Sequence, residues 1–268
     1  MIKQKNIFLY WKIGSISLSI FSLFLFLMLG AHKSENTQES TQGVVFVLDV
    51  SQSMLVQDVL EGKSRLDAAK KRIQETILRY PYSEYALSIF AWESLRVLPF
   101  TSDSSIFTTF LLWVNQDNIR KQGTRIDLAL DDALENFIDD TTGTIVLLTD
   151  GDEDEIPVSK TLRQQLQEKE LDLIVVWVGS SQGWYIPTGD IFSPYKLYQG
   201  APIRPKLNTQ ELQNLARELG GTYQEIDKEI SLQDSNSKNS KSQSLFLFFS
   251  FFFWIGFLWL YYFELYKK

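Results

Sequence analysis

Apolar residues in the middle of this chain fall into two patterns that predict strands and helices in alternation. Continuous apolar runs, such as residues 44–48 and 144–148, are typical of strands buried on both faces. Other apolar residues recur at every third or fourth position, as Leu66, Ala69 and Ile73 do, which indicates amphipathic helices. The predicted elements, in order, are strand 44–48, a helix ending near 79, strands 86–90 and 96–100, helix 106–114, a helix from 126, strand 144–148, a helix around 162–166, strand 173–178, a helix from 208 and strand 222–226.

This alternation predicts an α/β fold, with a mostly parallel central sheet and helices on both faces. Ser102 or Asp103, and Asn208, are the expected N-terminal caps of two of the helices. In sheets of this kind, ligands bind beyond the carboxyl ends of the strands. Asp49 and Asp150 each follow a buried strand directly. We therefore expect both carboxylates at one edge of the sheet, provided that their strands are neighbours.

Two apolar segments without charged residues lie near the ends of the chain, at residues 13–29 and 245–263. A helix needs about 20 apolar residues to cross the hydrocarbon core of a membrane. We therefore predict transmembrane helices at residues 13–31 and 245–263. The first segment could also be a signal peptide, but Leu29 stands where cleavage needs a small residue, which favours an uncleaved anchor.

Lysines lie on the terminal side of each predicted span, Lys3, Lys5 and Lys12 before the first and Lys267 and Lys268 after the second. The positive-inside rule then places both ends, residues 1–12 and 264–268, in the cytoplasm. Polar stretches at residues 32–42 and 228–244 are predicted to be tethers. The region between them, residues 43–227, is the predicted folded domain, on the outer side of the membrane.

The composition excludes several kinds of function. The formal net charge is −7, and an acidic chain is not expected to bind nucleic acid. There is no Cys, so neither disulfides nor thiolate chemistry are available. His32 is the one histidine and lies in the first tether, so Ser-His catalysis in the domain has no base.

Oxygen-bearing side chains occur at three points of the predicted fold, after two of the strands and at the start of one helix. They are Asp49, Ser51 and Ser53 after the first strand, Thr124 after Gly123 at the start of a helix, and Asp150 after strand 144–148. Alone, an Asp-x-Ser-x-Ser run is more typical of a turn than of a ligand site. Together, two carboxylates and three hydroxyls make an all-oxygen ligand set, which hard cations such as Mg²⁺ prefer.

This constellation resembles the metal-ion-dependent adhesion site of von Willebrand factor A domains, and the resemblance covers residues 43–227. It implies a Rossmann-like fold and bound Mg²⁺, with Mn²⁺ or Ca²⁺ as alternatives. It also implies a protein partner whose carboxylate completes the coordination, so that the domain is a binding module and not an enzyme. The implied metal ligands are Asp49, Ser51, Ser53, Thr124 and Asp150.

Several segments are similar to the membrane-anchored Bat (aerotolerance) group of von Willebrand A proteins, namely residues 53–60, 64–70, 99–103, 148–153 and 200–203. This resemblance implies the bacterial cytoplasmic membrane as location and a link to MoxR-type ATPases in assembly or stress tolerance. The implied partners are other membrane or periplasmic proteins, including related von Willebrand A proteins. The chain departs from the group at its N-terminus, where Bat proteins often have two spans and this chain has room for one.

A long connection at residues 179–207 leaves the carboxyl end of a predicted strand, at the same edge as the metal ligands. Long loops of this kind are often functional, and aromatic side chains are enriched in protein interfaces. The candidate partner contacts in it are Trp184, Tyr185, Tyr195 and Tyr198. The acidic run at residues 152–155 is interpreted as a solvated loop.

Two other functions stay open at this point. Asp49 and Asp150 could hold Mg²⁺ in a hydrolase, because such sites recruit water and phosphates. A metal-free scaffold is the other alternative. No P-loop or dinucleotide-binding fingerprint occurs in the sequence.

Overall fold

The computed structural model describes residues 43–59, 63–137, 142–153, 156–180, 182–205 and 208–232. The predicted spans, at residues 13–31 and 245–263, lie outside this part of the chain. Within it, no helix is both long enough and apolar enough to cross a membrane.

The strands of the described chain form one large sheet and one small hairpin. They are β1 (Gly43–Asp49), β2 (Glu84–Phe90), β3 (Ser94–Thr101), β4 (Gly143–Thr149), β5 (Asp172–Trp177), β6 (Leu197–Tyr198), β7 (Ala201–Pro202) and β8 (Thr222–Glu225). The large sheet has the order β3-β2-β1-β4-β5-β8, and only β2 and β3 pair antiparallel. The mostly parallel sheet predicted from the sequence is confirmed.

Helices cover both faces of this sheet. They are α1 (Arg65–Arg79), α2 (Ser104–Trp113), α3 (Ile126–Leu134), α4 (Lys160–Glu168) and α5 (Thr209–Leu219). Phe46 and Leu48 of β1 belong to the core layer that includes α1 and α2, whereas Val45 and Val47 belong to the layer that includes α3, α4 and α5. Because alternate residues of β1 serve opposite layers, the strand is apolar throughout.

Local side-chain contacts set the helix ends that the sequence predicts. The Asp103 carboxylate accepts the backbone N–H groups of Ser105 and Ile106, at 2.8 and 3.0 Å, before α2. Asn208 caps α5 by accepting the N–H of Glu211 at 3.4 Å. Gly220 ends that helix in the left-handed region, with φ 74°, which glycine adopts without steric cost.

Strands β1 and β4 are direct neighbours, with Leu48 opposite Leu148 in the register. Asp49 ends β1, and Asp150 directly follows β4. The two carboxylates therefore lie at one edge of the sheet, as the sequence predicts for adjacent strands.

The packed region extends beyond residue 227, where the sequence predicts a tether to begin. Ile230 and Leu232 are buried in the core layer that includes α1. The backbone N–H of Leu232 also donates to the Tyr80 hydroxyl at 3.2 Å. Residues 228–232 are thus part of the domain, which corrects the predicted tether at 228–244. Two apolar residues among polar neighbours are too short a pattern to indicate burial.

Candidate metal centre

Asp49 lies at the end of β1 and is completely buried. Its Oδ2 accepts a hydrogen bond from the Thr149 hydroxyl at 2.6 Å, and its Oδ1 accepts the backbone N–H of Ser51 at 2.8 Å. The first contact comes from the last residue of β4, and the second comes from the loop that follows β1. The carboxylate is therefore held in one orientation before any ion binds.

The two serines of the site lie on a short 3-10 helix, Gln52–Leu55, and the residue before it. Ser51 is extended, at φ −61° and ψ 161°, and the helix then turns the chain so that Ser53 follows on the same side. The hydroxyls of Ser51 and Ser53 lie 3.0 Å apart, and both residues are buried. Ser53 is hydrogen-bonded in turn to the carboxylate of Asp150. Four of the five predicted ligands thus form one connected cluster.

Thr124 lies on the loop before α3 and is partly exposed. The neighbouring Arg125 donates its backbone N–H to the Ala91 carbonyl at 2.9 Å, which fastens the loop beside the carboxyl end of β2. Gly123 adopts φ 127°, and a Cβ atom there would come within 2.9 Å of the Trp92 ring. Glycine is therefore required immediately before Thr124, both by backbone conformation and by space.

Burial and mutual repulsion make the two carboxylates costly without a cation. Burial and the negative charge of Asp150 raise the pKa of Asp49 to about 7, although hydrogen bonds from Thr149 and Ser51 oppose the shift. Burial also raises the pKa of Asp150, against the positive charge of Arg65 and the hydrogen bond from Ser53. Such a pair favours a positive ion between its members.

Sequence reasoning missed two charged residues of the site, Asp58 and its partner Arg65, which is the first residue of α1. The Arg65 side chain is completely buried. The guanidinium Nη1 donates to Asp150 Oδ2 at 2.7 Å, and Nε and Nη2 donate to the two carboxylate oxygens of Asp58 at 2.9 and 2.6 Å. No sequence signal indicates this contact, because an arginine at the start of an amphipathic helix is usually solvent-exposed.

The residues present fit a hard divalent cation. Asp49, Asp58 and Asp150 carry three negative charges when ionised, and Arg65 carries one positive charge, which leaves an excess that one divalent ion neutralises. Among the described residues, no group of three or more His, Cys, Asp or Glu side chains is arranged to hold a metal. The oxygens that the cluster offers are those of the buried carboxylates of Asp49 and Asp150 and the buried hydroxyls of Ser51 and Ser53, and hard cations accept both kinds of oxygen.

Comparison with known proteins agrees with this geometry. Residues 44–153 match the family model of the von Willebrand factor type A domain. The chain contains a von Willebrand factor type A domain. This confirms the family that the sequence resembles, together with its α/β architecture.

Two solved structures place this von Willebrand domain close to the Bat group. The conserved hypothetical protein BatB from Bacteroides thetaiotaomicron is 28% identical with a TM-score of 0.63, covering 76% of this chain and 97% of that one. An aerotolerance-related membrane protein from Bacteroides fragilis is also 28% identical, with a TM-score of 0.61, over 75% of this chain and 96% of that one. The domain is thus Bat-like, as the sequence predicts.

A relative from Borreliella burgdorferi, an uncharacterized protein, is 25% identical over 206 residues, or 75% of this chain. The chain spans 59% of the length of that relative.

The long connection after β5 folds into a small hairpin, here called the aromatic loop (described residues 182–205). Its β6 and β7 pair antiparallel, and Pro187 and Tyr195 form a further bridge. The rings of Trp184 and Tyr185 lie 5.9 Å apart, and those of Tyr185 and Tyr195 lie 5.4 Å apart. Trp184 and Tyr198 are 52% and 69% exposed, so aromatic surface is available to a partner. Three of the four predicted contact residues are therefore clustered, and Tyr198 lies in β6.

In the acidic run after Asp150, the two described residues, Asp152 and Glu153, are only partly exposed, in contrast to the solvated loop interpreted from the sequence. Glu153 is half-buried, and its carboxylate accepts the backbone N–H of Ile126 at 3.4 Å. Burial, together with the charge of Asp127, raises the pKa of Glu153 to about 7, although the hydrogen bond from Ile126 opposes the shift. Glu153 thus ties the loop after β4 to the start of α3, beside Thr124.

Proposed function

We propose that this chain is a membrane-anchored von Willebrand A protein that captures a protein partner through a divalent ion. The ion is held by Asp49, Ser51, Ser53, Thr124 and Asp150. The observation that carries the proposal is the buried cluster in which Asp49, two hydrogen-bonded serines and Asp150 converge at one sheet edge. Mg²⁺ is the preferred ion of an all-oxygen set of this kind, with Mn²⁺ or Ca²⁺ as alternatives.

When bound, the ion supplies positive charge and an open coordination position for a carboxylate of the partner. The residues of the chain hold the oxygens in position for the ion. Thr149 and Ser51 hold Asp49 in place, and Arg65 holds Asp150, so that the oxygens are pre-arranged. The exposed rings of the aromatic loop, at Trp184 and Tyr198, offer apolar contact area to the partner.

Binding is favoured over catalysis by the roles of the polar groups in the cluster. The carboxylates of Asp49 and Asp150 are engaged in hydrogen bonds that orient them, and no histidine occurs among residues 43–232. A general base aligned on a water or a substrate is what a hydrolase requires. We therefore assign no enzymatic activity to the chain.

The Bat-like domain supports a location at the bacterial cytoplasmic membrane, with the domain on the extracytoplasmic side. The B. fragilis relative is named as an aerotolerance-related membrane protein. On this basis we propose a role in assembly or stress tolerance, together with other membrane or periplasmic proteins and a MoxR-type ATPase. The partner that binds the ion would then be a protein that presents an Asp or a Glu.

The test is capture of partners from membranes by the full chain in Mg²⁺, in EDTA, and in EDTA followed by excess Mg²⁺. Capture is expected in the first and third conditions only, because a carboxylate has no reason to approach an acidic edge without the cation. Thr124→Ala should weaken binding roughly tenfold, which equals about 1.4 kcal/mol. The matched control is Thr109→Ala, on the exposed face of α2.

A partner whose affinity is indifferent both to EDTA and to Thr124→Ala would remove the ion from recognition. The same preparations are assayed with a general phosphate-ester substrate. Hydrolysis that requires Mg²⁺ and is lost in Asp150→Asn would favour the hydrolase alternative instead.

A further inference from the structure

The buried guanidinium of Arg65 joins two carboxylates that belong to different parts of the domain. One is Asp150 at the metal edge, and the other is Asp58, in the segment that leads into α1. The Asp58 side chain is 5% exposed, and both of its oxygens are engaged by the arginine. Hydrogen bonds from Arg65 and its positive charge lower the pKa of Asp58, although burial acts in the opposite direction. Asp58 therefore stays ionised and stays paired.

Asp58 is in turn bound to the start of the connection that carries the aromatic loop. The Ser180 hydroxyl donates to Asp58 Oδ2 at 3.1 Å, and the Ser180 backbone N–H approaches the same oxygen at 3.4 Å. Ser180 also closes a turn with Gly183, whose N–H lies 3.3 Å from the Ser180 hydroxyl oxygen. Trp184 follows this turn directly. A continuous series of polar contacts thus runs from Asp150 to Gly183, the residue before Trp184.

Two further contacts bring the connection and the aromatic loop close to the ion-binding residues. A Cβ atom added to Gly179 would lie 3.5 Å from Nε of Arg65 and 3.2 Å from the Trp177 ring, so the chain passes directly over the guanidinium. Farther along, the Lys196 ammonium donates to the side chain of Gln52, the residue between the two site serines. The start of the connection is therefore attached to Asp58, and the aromatic loop itself is attached to Gln52.

We propose that Arg65 and Asp58 are positioning residues that hold the aromatic loop beside the ion, so that ion binding and loop order stabilise each other. The role of the ion in this inference rests on the proposed function, whereas the attachment of the loop does not. Neither residue is a metal ligand. Both act through others, Arg65 through Asp150 and Asp58 through Ser180.

The chemistry of the contact favours arginine at position 65. A guanidinium is planar, keeps its charge at all relevant pH values and can pair with two carboxylates at once. Without an ion, the cluster of Asp49, Asp58, Asp150 and Arg65 has an excess of negative charge. An ion at the Asp49–Asp150 edge would remove that excess and reduce the repulsion among the three carboxylates. The contact between Asp58 and Ser180 would then be more stable. By reciprocity, an ordered loop favours the ion in the same measure.

Tryptic cleavage after Lys196 measures how well the aromatic loop is held. Lys196 is half-buried with its ammonium bound to Gln52, so cleavage requires the loop to leave the sheet edge. The full chain is digested in EDTA and in Mg²⁺, and the peptide that ends at Lys196 is followed by mass spectrometry. Cleavage after Arg163, which is exposed on α4, corrects for protease activity in each condition.

In EDTA, Ser180→Ala should be cut after Lys196 roughly fivefold faster than the unchanged protein, the effect expected for one lost hydrogen bond. Asp58→Asn should be cut at least as fast, because it also removes the charge that pairs with the buried Arg65. The control is Ser193→Ala on the same loop, where the backbone carbonyl and not the hydroxyl accepts from Thr188. In Mg²⁺, cleavage should slow in the unchanged protein and in the control, but not in Ser180→Ala or Asp58→Asn. Ser180→Ala should still melt at a higher temperature with Mg²⁺, because it keeps all five ligands.

Wild-type cleavage rates for Ser180→Ala and Asp58→Asn in EDTA would overturn the positioning role, whatever the ion does. If Mg²⁺ slows cleavage of these two variants as much as it slows cleavage of the unchanged protein, the proposed coupling between ion and loop is wrong. A different result would count against the proposed function itself, namely an unchanged melting temperature of the unaltered protein in Mg²⁺. The cleavage rates in EDTA would then still decide whether the contact between Asp58 and Ser180 holds the loop.

Discussion

Asp49 is the residue at which burial and charge conflict most strongly in this domain. It is completely buried, faces the negative charge of Asp150, and has a pKa raised to about 7. Arg65 does not relieve it, because the guanidinium is bound to Asp150 and Asp58. An ionised Asp49 therefore destabilises the ion-free fold, and a bound cation turns the same charge into a favourable contact.

The first prediction concerns the pH dependence of the ion-free protein. The pKa of Asp49 is higher in the folded state than its ordinary value of 3.8, so the folded state binds the proton more tightly than the unfolded state. Stability in EDTA should consequently fall as pH rises from about 4 to about 7, and the loss should persist above pH 7. Asp49→Asn should reduce this fall, with the exposed Asp117→Asn as control. The measurement is the melting temperature at pH 5 and pH 8.

The second prediction concerns the ion at the same residue. At pH 8, Mg²⁺ should raise the melting temperature of the unchanged protein and of Asp117→Asn, since a ligand that binds only the folded state stabilises it. Asp49→Asn should show little or no rise, because it lacks the negative charge that the ion neutralises. An equal rise in all three proteins would place the ion elsewhere on the molecule.

At the scale of elements, the candidate ligands lie on three loops, two that follow the parallel strands β1 and β4 and one that is fastened beside the end of β2. One forms the 3-10 helix with Ser53, one carries Thr124, and one begins at Asp150. Two of them need a glycine in the left-handed region. Gly123 precedes Thr124, and Gly151, at φ 71°, follows Asp150, where a Cβ atom would come within 2.9 Å of Leu212. The strands fix the positions of the loops, and the glycines allow the loops to turn there.

The third prediction compares two glycines that share a positive φ. Gly123→Ala introduces both backbone strain and a clash with Trp92, whereas Gly189, at φ 77°, has nothing within 4 Å of an added Cβ. Gly189→Ala should therefore lower the free energy of unfolding by the cost of backbone strain alone, about 1–3 kcal/mol. Gly123→Ala should lower the free energy of unfolding further, and should weaken Mg²⁺ binding by displacing Thr124. Urea unfolding with and without Mg²⁺ measures both effects, and equal losses in the two variants would contradict the clash.

At the scale of the whole molecule, the distribution of charge and apolar segments predicts where the domain lies. The two uncharged apolar segments and their flanking lysines predict cytoplasmic ends and an extracytoplasmic domain. This orientation matters for function, because an extracytoplasmic domain meets Mg²⁺ and partner proteins in a different compartment from a cytoplasmic ATPase. Any link to such an ATPase would then have to pass through the spans or through another membrane protein.

The fourth prediction tests this topology with reporter fusions. Alkaline phosphatase fused after Gln233 should be active, because the enzyme folds only outside the cytoplasm, and a fusion at Lys268 should be inactive. A cytoplasmic reporter should give the opposite pattern at the two positions. An inactive phosphatase at Gln233, with an active cytoplasmic reporter there, would reverse the orientation.

Much of the fold was predictable because its signals are local. The apolar runs at residues 44–48 and 144–148 mark strands that the structure buries on both faces, and Asp103 and Asn208 cap the helices that the sequence assigns to them. Asp49 and Asp150 could be placed at the ends of strands for the same reason. Periodicity and capping depend on residues within a few positions of each other, so a single sequence contains them.

The tertiary structure decided which side chains meet. Arg65 and Asp150 are 85 positions apart, and Asp58 and Ser180 are 122 positions apart, so no spacing in the sequence relates them. The raised pKa of Asp49 likewise arises from burial, together with the carboxylate of Asp150, which directly follows the neighbouring strand β4. Strand order and packing bring these groups together. The amino-acid sequence by itself therefore determined the elements and the chemical types at the site, whereas their pairing and their electrostatics were set by the fold.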